Sequence, residues 1–323
     1  MNVTFVNVGY GEAIVLECPD PARPGGVFVM VVDGGSGEAE EYRDRSTGRV
    51  PLADYLTGRG LDHIDVMTAT HIHEDHLCGL LPLLDRWTPG ELWQTLPADL
   101  HRSLRPLPPL PEANASQQKF LRSLRDYRTL CGRVEAGGGV LRTLSAGWET
   151  RPCPGLTIRC LGPSRTGSEE LAERCEALHQ PCDPELFRRR LTALDGGMNN
   201  YSAILLLNYR GTRILLPGDT NRAGYADRGD LRAHLFKVGH HGQRDGADAA
   251  LIGAVRPGHV VCCASSDRRY HSADPALLQE LRSSGAVLWF SDCPRLPGLE
   301  LPPHRALVFT VGAGGTLTGR YLP

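Results

Sequence analysis

The sequence predicts a layered α/β fold, with β-sheets in the interior and helices covering them. Runs rich in Val, Ile, Leu and Phe alternate with amphipathic segments in both halves of the 323-residue chain. Clusters of His and Asp stand where several of the predicted strands end. No linker is long enough to separate two domains. We therefore expect one domain over residues 1–323, with a divergent insert at about 88–197.

The first part of the chain opens with strands and then alternates helix and strand. Apolar runs bounded by Gly- and Pro-rich turns predict strands at 3–8, 12–18, 27–33 and 63–71. Amphipathic runs predict helices at 51–61 and 78–87. The fourth strand therefore carries the polar stretch THIHEDH at its C-terminal end.

The middle of the chain is less regular, and strands return after it. A Pro-rich loop at 106–114 precedes an amphipathic helix at 116–131, and the segments 168–180 and 183–197 are either charged surface helices or a mobile insert. A helix is predicted at 275–286, and strands at 155–163, 200–220 (two, joined by a short turn), 235–242, 259–265, 287–292 and 306–315.

Composition excludes several classes of protein. The net charge is −2, so no global basic field indicates binding to nucleic acid or to anionic membranes, and a local basic patch is left open. No apolar run approaches the length of a membrane span, and the N-terminal segment lacks the pattern of a signal peptide. We therefore expect a cytoplasmic protein whose ten scattered cysteines are reduced and mostly packed as small hydrophobic side chains.

The stretch THIHEDH, residues 70–76, carries the strongest chemical signal. His71 and His73 alternate on one extended face, whereas Asp75 and His76 lie past the strand and can turn toward a second point. This pattern suits two adjacent metal ions, with a further carboxylate between them. The helical zinc-protease motif needs histidines four positions apart, and here HEDH separates them by three.

The motif resembles the HxHxDH signature of the metallo-β-lactamase fold superfamily. Other segments are similar to ComEC-type domains: VNVGYGEAIVLE, VVDGG, NNYSAILLLNYRGTRILLPGD, LFKVGHHG and YHSADPALLQELRSSGA. The similarity runs in order from residue 3 to about 292 and is poor over 88–195. It implies an αββα metallo-β-lactamase sandwich. ComEC proteins are membrane channels for DNA uptake that carry such a domain.

The resemblance also implies roles for individual residues. His71 and His73 would bind the first metal ion, Asp75 and His76 the second, and Asp219 would bridge them. A histidine of VGHHG would complete the second site, and family practice favours His240 over His241. Asp33 would orient a ligand histidine through a hydrogen bond. Asp75, His241 and His271 are the candidate catalytic residues, and Glu74 is expected to face solvent.

One position departs from the superfamily pattern. Most two-metal members have another ligand histidine before the bridging aspartate, and this interval contains only His101 and His179. At the expected place stands MNNYS, so Asn200 or solvent would complete the first site. Two divalent ions, Zn or Mn, are expected, with the first held weakly; a single-metal enzyme is the alternative. Lys237 either is a buried strand residue or reaches the site.

These features predict a metal-dependent hydrolase that uses a metal-bound hydroxide on phosphodiester bonds of a nucleic acid or nucleotide. The preference for phosphodiesters comes from the resemblance alone. One alternative is a small-molecule hydrolase of esters, lactones or phosphocholine-type compounds, which the near-neutral charge favours. The other is a non-catalytic metal-binding module of a multi-protein system, such as a defence system. No membrane partner is expected, and the oligomeric state is left open.

Overall fold

Two β-sheets packed face to face, with helices on both outer sides, form the αββα sandwich that the sequence predicts. The computed structural model describes residues 1–110 and 112–323; Pro111, in the predicted Pro-rich loop, lies outside them. The strands are β1 Asn2–Val6, β2 Ile14–Pro19, β3 Val27–Val32, β4 Val66–Thr68, β5 Glu91–Gln94, β6 Val140–Thr143, β7 Glu149–Cys153, β8 Leu156–Gly162, β9 Ile204–Tyr209, β10 Thr212–Leu216, β11 Leu235–Lys237, β12 His259–Cys262, β13 Val287–Phe290, β14 Ala306–Val311 and β15 Leu317–Leu322.

The first sheet has the strand order β15-β14-β1-β2-β3-β4-β5-β6, and the second has the order β13-β12-β11-β10-β9-β8-β7. Four neighbouring strands run parallel in each sheet: β3 to β6 in the first and β10 to β13 in the second. The first strand of the chain pairs antiparallel with both β2 and β14. The expected strands are therefore present, and the short strands β5, β6, β7 and β15 add to the predicted set.

The alternation of side chains along β3 shows why both faces of the first sheet are apolar. Met30 and Val32 pack in the core between the two sheets, whereas Val29 and Val31 pack in the core beneath the outer helices. A strand that is buried on both faces has a continuous apolar sequence, and β3 reads VFVMVV. A third core lies between the second sheet and its helices.

The helices are α1 Leu52–Gly58, α2 Glu74–Leu77, α3 Leu100–Ser103, α4 Ala115–Ala136, α5 Arg165–Leu178, α6 Pro184–Gly197, α7 Ala249–Val255 and α8 Pro275–Ser283. The predicted helix at 78–87 is instead 3₁₀ over Cys78–Asp85, where Pro82 lacks the N–H that an α-helix would use. In the insert, α5 and α6 bury one face each in the core beneath the first sheet, so they are packed helices.

Two expectations from composition can be checked against the structure. The ten cysteines are free thiols, and eight of them are buried, which confirms that they are mostly packed in the interior. Among the helices that the described residues form, none is both long enough and apolar enough to cross a membrane.

Candidate metal centre

Four strand ends converge at one edge of the sandwich. Asp33 follows β3, the segment His71–His76 follows β4, Asp219 follows β10 and His241 follows β11. The carboxyl ends of neighbouring parallel strands meet at the same edge, where α/β proteins place their sites. Each sheet thus contributes two segments to the cluster.

Gly11, in the β1–β2 turn, lets the backbone of that turn lie close to the loop His71–His76. A Cβ atom on Gly11 would lie 2.3 Å from the carbonyl oxygen of Asp75, and the neighbouring Glu12 N–H donates to that same oxygen at 3.1 Å. Gly11 also has φ +129°, a conformation that favours glycine. The β1–β2 turn therefore holds the backbone of Asp75 in place.

Asp75, His76, Asp219 and His241 form a compact set of metal-binding side chains. The Nε2 atoms of His76 and His241 are 3.2 Å apart. Asp219 Oδ2 lies 3.3 Å from the first of these nitrogens and 2.9 Å from the second, and Asp75 Oδ2 lies 3.0 Å from His241 Nε2. One ligand atom from each residue lies within 4.8 Å of all the others, so the four could bind a single ion.

His71 and His73 form a second pair beside this set. His71 Nε2 lies 3.0 Å from His73 Nδ1, and the ring of His71 contacts the ring of His76 at a tilt of 54°, with centroids 4.3 Å apart. Two imidazole nitrogens at this separation could share one ion. The structure thus brings together five of the six predicted ligands: His71, His73, Asp75, His76 and Asp219.

The outer ring nitrogens of the buried histidines are held by neighbouring groups. His76 Nδ1 donates to Asp33 Oδ2 at 2.7 Å, and His241 Nδ1 donates to the carbonyl oxygen of Cys263 at 3.0 Å. Thr70 donates its hydroxyl to Asp33, at 2.6 Å, so its oxygen is free to accept from His71 Nδ1 at 3.1 Å. In the neutral imidazoles these bonds keep the proton on the outer nitrogen and leave the inner nitrogen with a free lone pair, which is the form that binds metal ions.

The carboxylates and imidazoles shift one another's pKa values. Burial disfavours the charged form of His241, but Asp219 and Asp75 outweigh it and raise the pKa of His241 to about 9. Burial also disfavours ionised Asp219, yet His241, His76 and Lys237 hold the pKa of its carboxyl well below the usual range. Burial lowers the pKa of His71 well below its usual value. The site is therefore built to hold positive charge between two carboxylates.

Lys237 lies directly beneath Asp219 and is fully buried. Its ammonium donates to the Gly218 carbonyl oxygen at 2.8 Å and to Asp219 Oδ1 at 3.3 Å, and it forms an ion pair with buried Glu12. Both alternatives left open for this lysine hold, because it is a strand residue that also reaches the site. Its contact leaves Asp219 Oδ2 facing the histidines.

The structure corrects the preference between the two adjacent histidines. His241 is buried in the cluster, whereas His240 is bonded to Asp245 through Nδ1 at 2.8 Å on the rim. Both residues have left-handed backbone, with φ +48° and +51°. This tight turn points the two rings in different directions, a detail that residue spacing does not show. Such strained pairs of residues cluster at functional sites.

Three other expectations differ from the observed positions. Asn200 is exposed, and its neighbour Asn199 lines the cavity with a buried Oδ1 that has no hydrogen-bond partner among the described residues. His271 is exposed and lies outside the cavity lining. Glu74 is buried, because its carboxylate accepts hydrogen bonds from the Ser36 hydroxyl at 2.5 Å and from the backbone of the same loop.

The two histidines of the insert lie elsewhere. His101 Nδ1 bonds to the Ala98 carbonyl oxygen at 3.2 Å, and His179 Nδ1 contacts the Arg105 carbonyl oxygen. The described residues therefore offer no third histidine for the first position. The insert instead contributes Asp195 of α6, whose Oδ1 lies 3.2 Å from His73 Nε2. Sequence reasoning missed this residue, since it stands in a segment with no recognisable motif.

A cavity of about 270 Å³ opens onto the cluster. On one side, the ring of Tyr10 packs against His241 at 4.7 Å, and the ring of Tyr270 stands 5.3 Å from that of Tyr10. Tyr270 is 58% exposed. Ser116 and Lys119 of α4 also line the cavity, and the Lys119 ammonium lies 4.0 Å from Glu38 Oε2. The mouth thus combines an exposed aromatic ring with a cationic side chain.

Comparison with known proteins agrees with this architecture. The family model of the metallo-beta-lactamase superfamily matches residues 23–266. ComE operon protein 3 of Bacillus subtilis (strain 168) is 22% identical over an alignment of 293 residues, and the alignment covers 87% of this chain and 30% of that protein. The chain therefore spans about a third of the length of this relative.

Solved structures also resemble this chain. Igni18, a metallo hydrolase from the archaeon Ignicoccus hospitalis KIN4/I, has a TM-score of 0.51 and 15% identity, covering 96% of this chain and 99% of that one. Zn²⁺-bound PqqB from Methylobacterium extorquens has a TM-score of 0.47 and 11% identity, covering 90% and 98%. At these identities the first similarity supports the fold.

Proposed function

The chain belongs to the metallo-beta-lactamase superfamily, and we propose that it is a hydrolase with two divalent metal ions that cleaves phosphodiester bonds. His71 and His73 would hold the first ion, and Asp75, His76 and His241 the second. Asp219 would serve both. The main observation behind this proposal is that inner nitrogens and carboxylate oxygens at the edge of the sandwich form neighbouring pairs 2.9–3.3 Å apart.

The residues present fit such ions. The donor set combines imidazole nitrogens with carboxylate oxygens, a mixture that suits zinc and also manganese. The buried Oδ1 of Asn199, which has no hydrogen-bond partner among the described residues, lies on the wall of the same cavity and could serve as a ligand of the first ion. When bound, two divalent ions supply an activated water and stabilise the charge that develops on the substrate.

The protein itself supplies orientation and charge. Asp33 holds the ring of His76, and Lys237 holds Asp219, so the ligands are set in place before substrate arrives. Asp75 faces the cavity and is partly accessible, so it can orient the attacking water. Helix α4 and the β1–β2 turn form the walls that position the diester.

The mouth supports a nucleotide-like diester. Tyr270 offers an exposed ring on which a base could stack, a contact that every base can make. Lys119, which also lines the cavity, offers a charge for a phosphate oxygen. The resemblance to ComEC-type domains points to the same substrate class. Small esters and lactones would use neither feature.

A substrate panel tests the proposal. Protein loaded with Mn²⁺ or Zn²⁺ is offered bis(p-nitrophenyl) phosphate, a dinucleotide and single-stranded DNA, beside an aryl ester, a lactone and a phosphocholine ester. We expect turnover of the diesters, which is lost in His241→Ala and retained in the matched control His240→Ala. Turnover confined to the carboxylic esters or lactone would refute the phosphodiester assignment. Equal loss in both variants would refute the assignment of His241.

A further inference from the structure

His73 is held differently from the other histidines of the cluster. The outer nitrogens of His71, His76 and His241 bond to groups on the loops that follow the strands of the sandwich. The outer nitrogen of His73 bonds to Asp195, which is 122 positions away in the chain and belongs to helix α6 of the insert. The geometry of the first metal position thus depends on a helix outside the sheets.

The sequence of α6 explains how Asp195 reaches the site. Asp183 caps the helix by accepting from the Leu186 N–H at 2.9 Å. Leu191 and Leu194 are then buried against the core beneath the first sheet, one turn apart on the same face. With that face fixed, the next residue, Asp195, lies at the edge of the buried stripe and lines the cavity.

Helix α4 completes the support. The Ser116 hydroxyl, in its first turn, donates to Asp195 Oδ2 at 3.3 Å, so each carboxylate oxygen has a partner. Phe120, one turn further on, packs its ring edge-on against His73 with centroids 5.7 Å apart. Two insert helices therefore restrain the ring of His73, one through a hydrogen bond and one through packing.

We propose that Asp195 is a positioning residue for the first metal ion. By accepting a hydrogen bond from His73 Nε2–H, it keeps that proton on the outer nitrogen and leaves the Nδ1 lone pair facing His71. Asp195 is not itself a ligand in this arrangement, because it contacts the nitrogen that points away from His71. The inference rests on the proposed assignment of His71 and His73 to the first ion.

This role gives the divergent insert a function at the site. The first position has only two histidines, since no third histidine is supplied by the described residues of the interval before Asp219. With fewer ligands, affinity depends more strongly on how well each one is oriented. Carboxylate partners of ligand histidines change metal affinity by about 10- to 100-fold in known sites. Asp195 would contribute an effect of this size to one ion only.

Metal binding tests the inference directly. Mn²⁺ is titrated into the metal-free wild type, Asp195→Ala, Asp195→Asn and the control Glu185→Ala, which alters an exposed acidic residue on the same helix. We expect two ions in the wild type and in the control. In Asp195→Ala, one of the two should bind about 10- to 100-fold more weakly, with the other unchanged. Asp195→Asn keeps an acceptor oxygen and should recover part of the loss.

The outcomes separate this inference from the proposed function. Two ions bound by Asp195→Ala with wild-type affinities would overturn the role of Asp195 while leaving the metal centre intact. A wild type that binds no Mn²⁺ would refute the metal centre itself. If Asp195→Ala does not fold, the near-isosteric variant Asp195→Asn is used instead. The inference would then be refuted if Asp195→Asn bound both ions with wild-type affinity and with an unchanged pH profile of binding.

Discussion

Replacement of Lys237 by methionine should destabilise the protein strongly in the absence of metal. The ammonium is fully buried and faces Asp219 Oδ1 at 3.3 Å, with Glu12 as its other anionic partner. At an effective dielectric constant of about 20, one unit charge pair at this distance is worth about 5 kcal/mol. Methionine fills similar space but leaves buried Glu12 without a cation and removes one of the three cationic groups that face Asp219, which costs about 3–5 kcal/mol of unfolding free energy.

The assay is urea unfolding followed by tryptophan fluorescence, with a chelator present throughout. The double variant Lys237→Met/Glu12→Gln removes the carboxylate charge that the single change leaves unpaired, and it should recover at least about 1.5 kcal/mol relative to the sum of the single changes. Lys119→Met is the matched control, since this lysine is about a third exposed. It should change the unfolding free energy by less than about 0.5 kcal/mol.

Two results would contradict the reasoning. A loss below about 1 kcal/mol in Lys237→Met would mean that the buried triad has no net role. Strict additivity in the double variant would mean that Lys237 and Glu12 do not interact.

Adding Mn²⁺ should reduce the loss of unfolding free energy in Lys237→Met, because a bound cation would compensate Asp219 in place of the ammonium.

Three further predictions concern pH and the cavity. In metal-free protein, Asp219 and Asp75 raise the pKa of His241 to about 9. Protonated His241 therefore stabilises the fold fully below pH 6.5, and this stabilisation is lost as the pH rises to about 9. Melting scans should show about 3 kcal/mol less stability at pH 9, and a flat pH profile would contradict this. Tyr270→Ala should raise KM for a dinucleotide about 5- to 100-fold while Tyr270→Phe does not; equal KM values would exclude stacking on this ring. Gly11→Ala should weaken metal binding, because its Cβ would displace Asp75; unchanged affinity in a chelator competition would refute that coupling.

The fold was predictable because the two sequence patterns that indicate it, an apolar strand and a spaced His/Asp motif, are local. Strand β3 reads as an unbroken apolar run, and THIHEDH follows the next strand with the spacing of a metal loop. These patterns need only neighbouring residues, and the family match and the two sheets confirm the predicted sandwich. Short edge strands such as β6 were missed, since four residues, mostly exposed, carry little pattern.

The finer structure of the site was less predictable, because it depends on contacts between distant segments. His241 reaches the cluster through a left-handed turn that no spacing rule encodes. Glu74 looks like a solvent-facing neighbour of the motif, yet the loop after β3 folds over it and supplies hydrogen bonds. Lys237 and Asp195 meet their partners 18 and 122 positions away, and only the packed helices and strands bring them there.

The pairing of β1 with β14 joins strands that are far apart in the sequence, and it therefore constrains the order in which the protein can fold. β1 lies between β2 and β14, so Asn2 pairs with Thr310 and the sheet is completed only when residues 306–311 are in place. The contact between His76 and His241 spans 165 positions and also joins one sheet to the other. Contacts of such long range form late and slowly. Tight metal binding during refolding should therefore coincide with the final docking of the two sheets. The bound metal would then stabilise the completed fold.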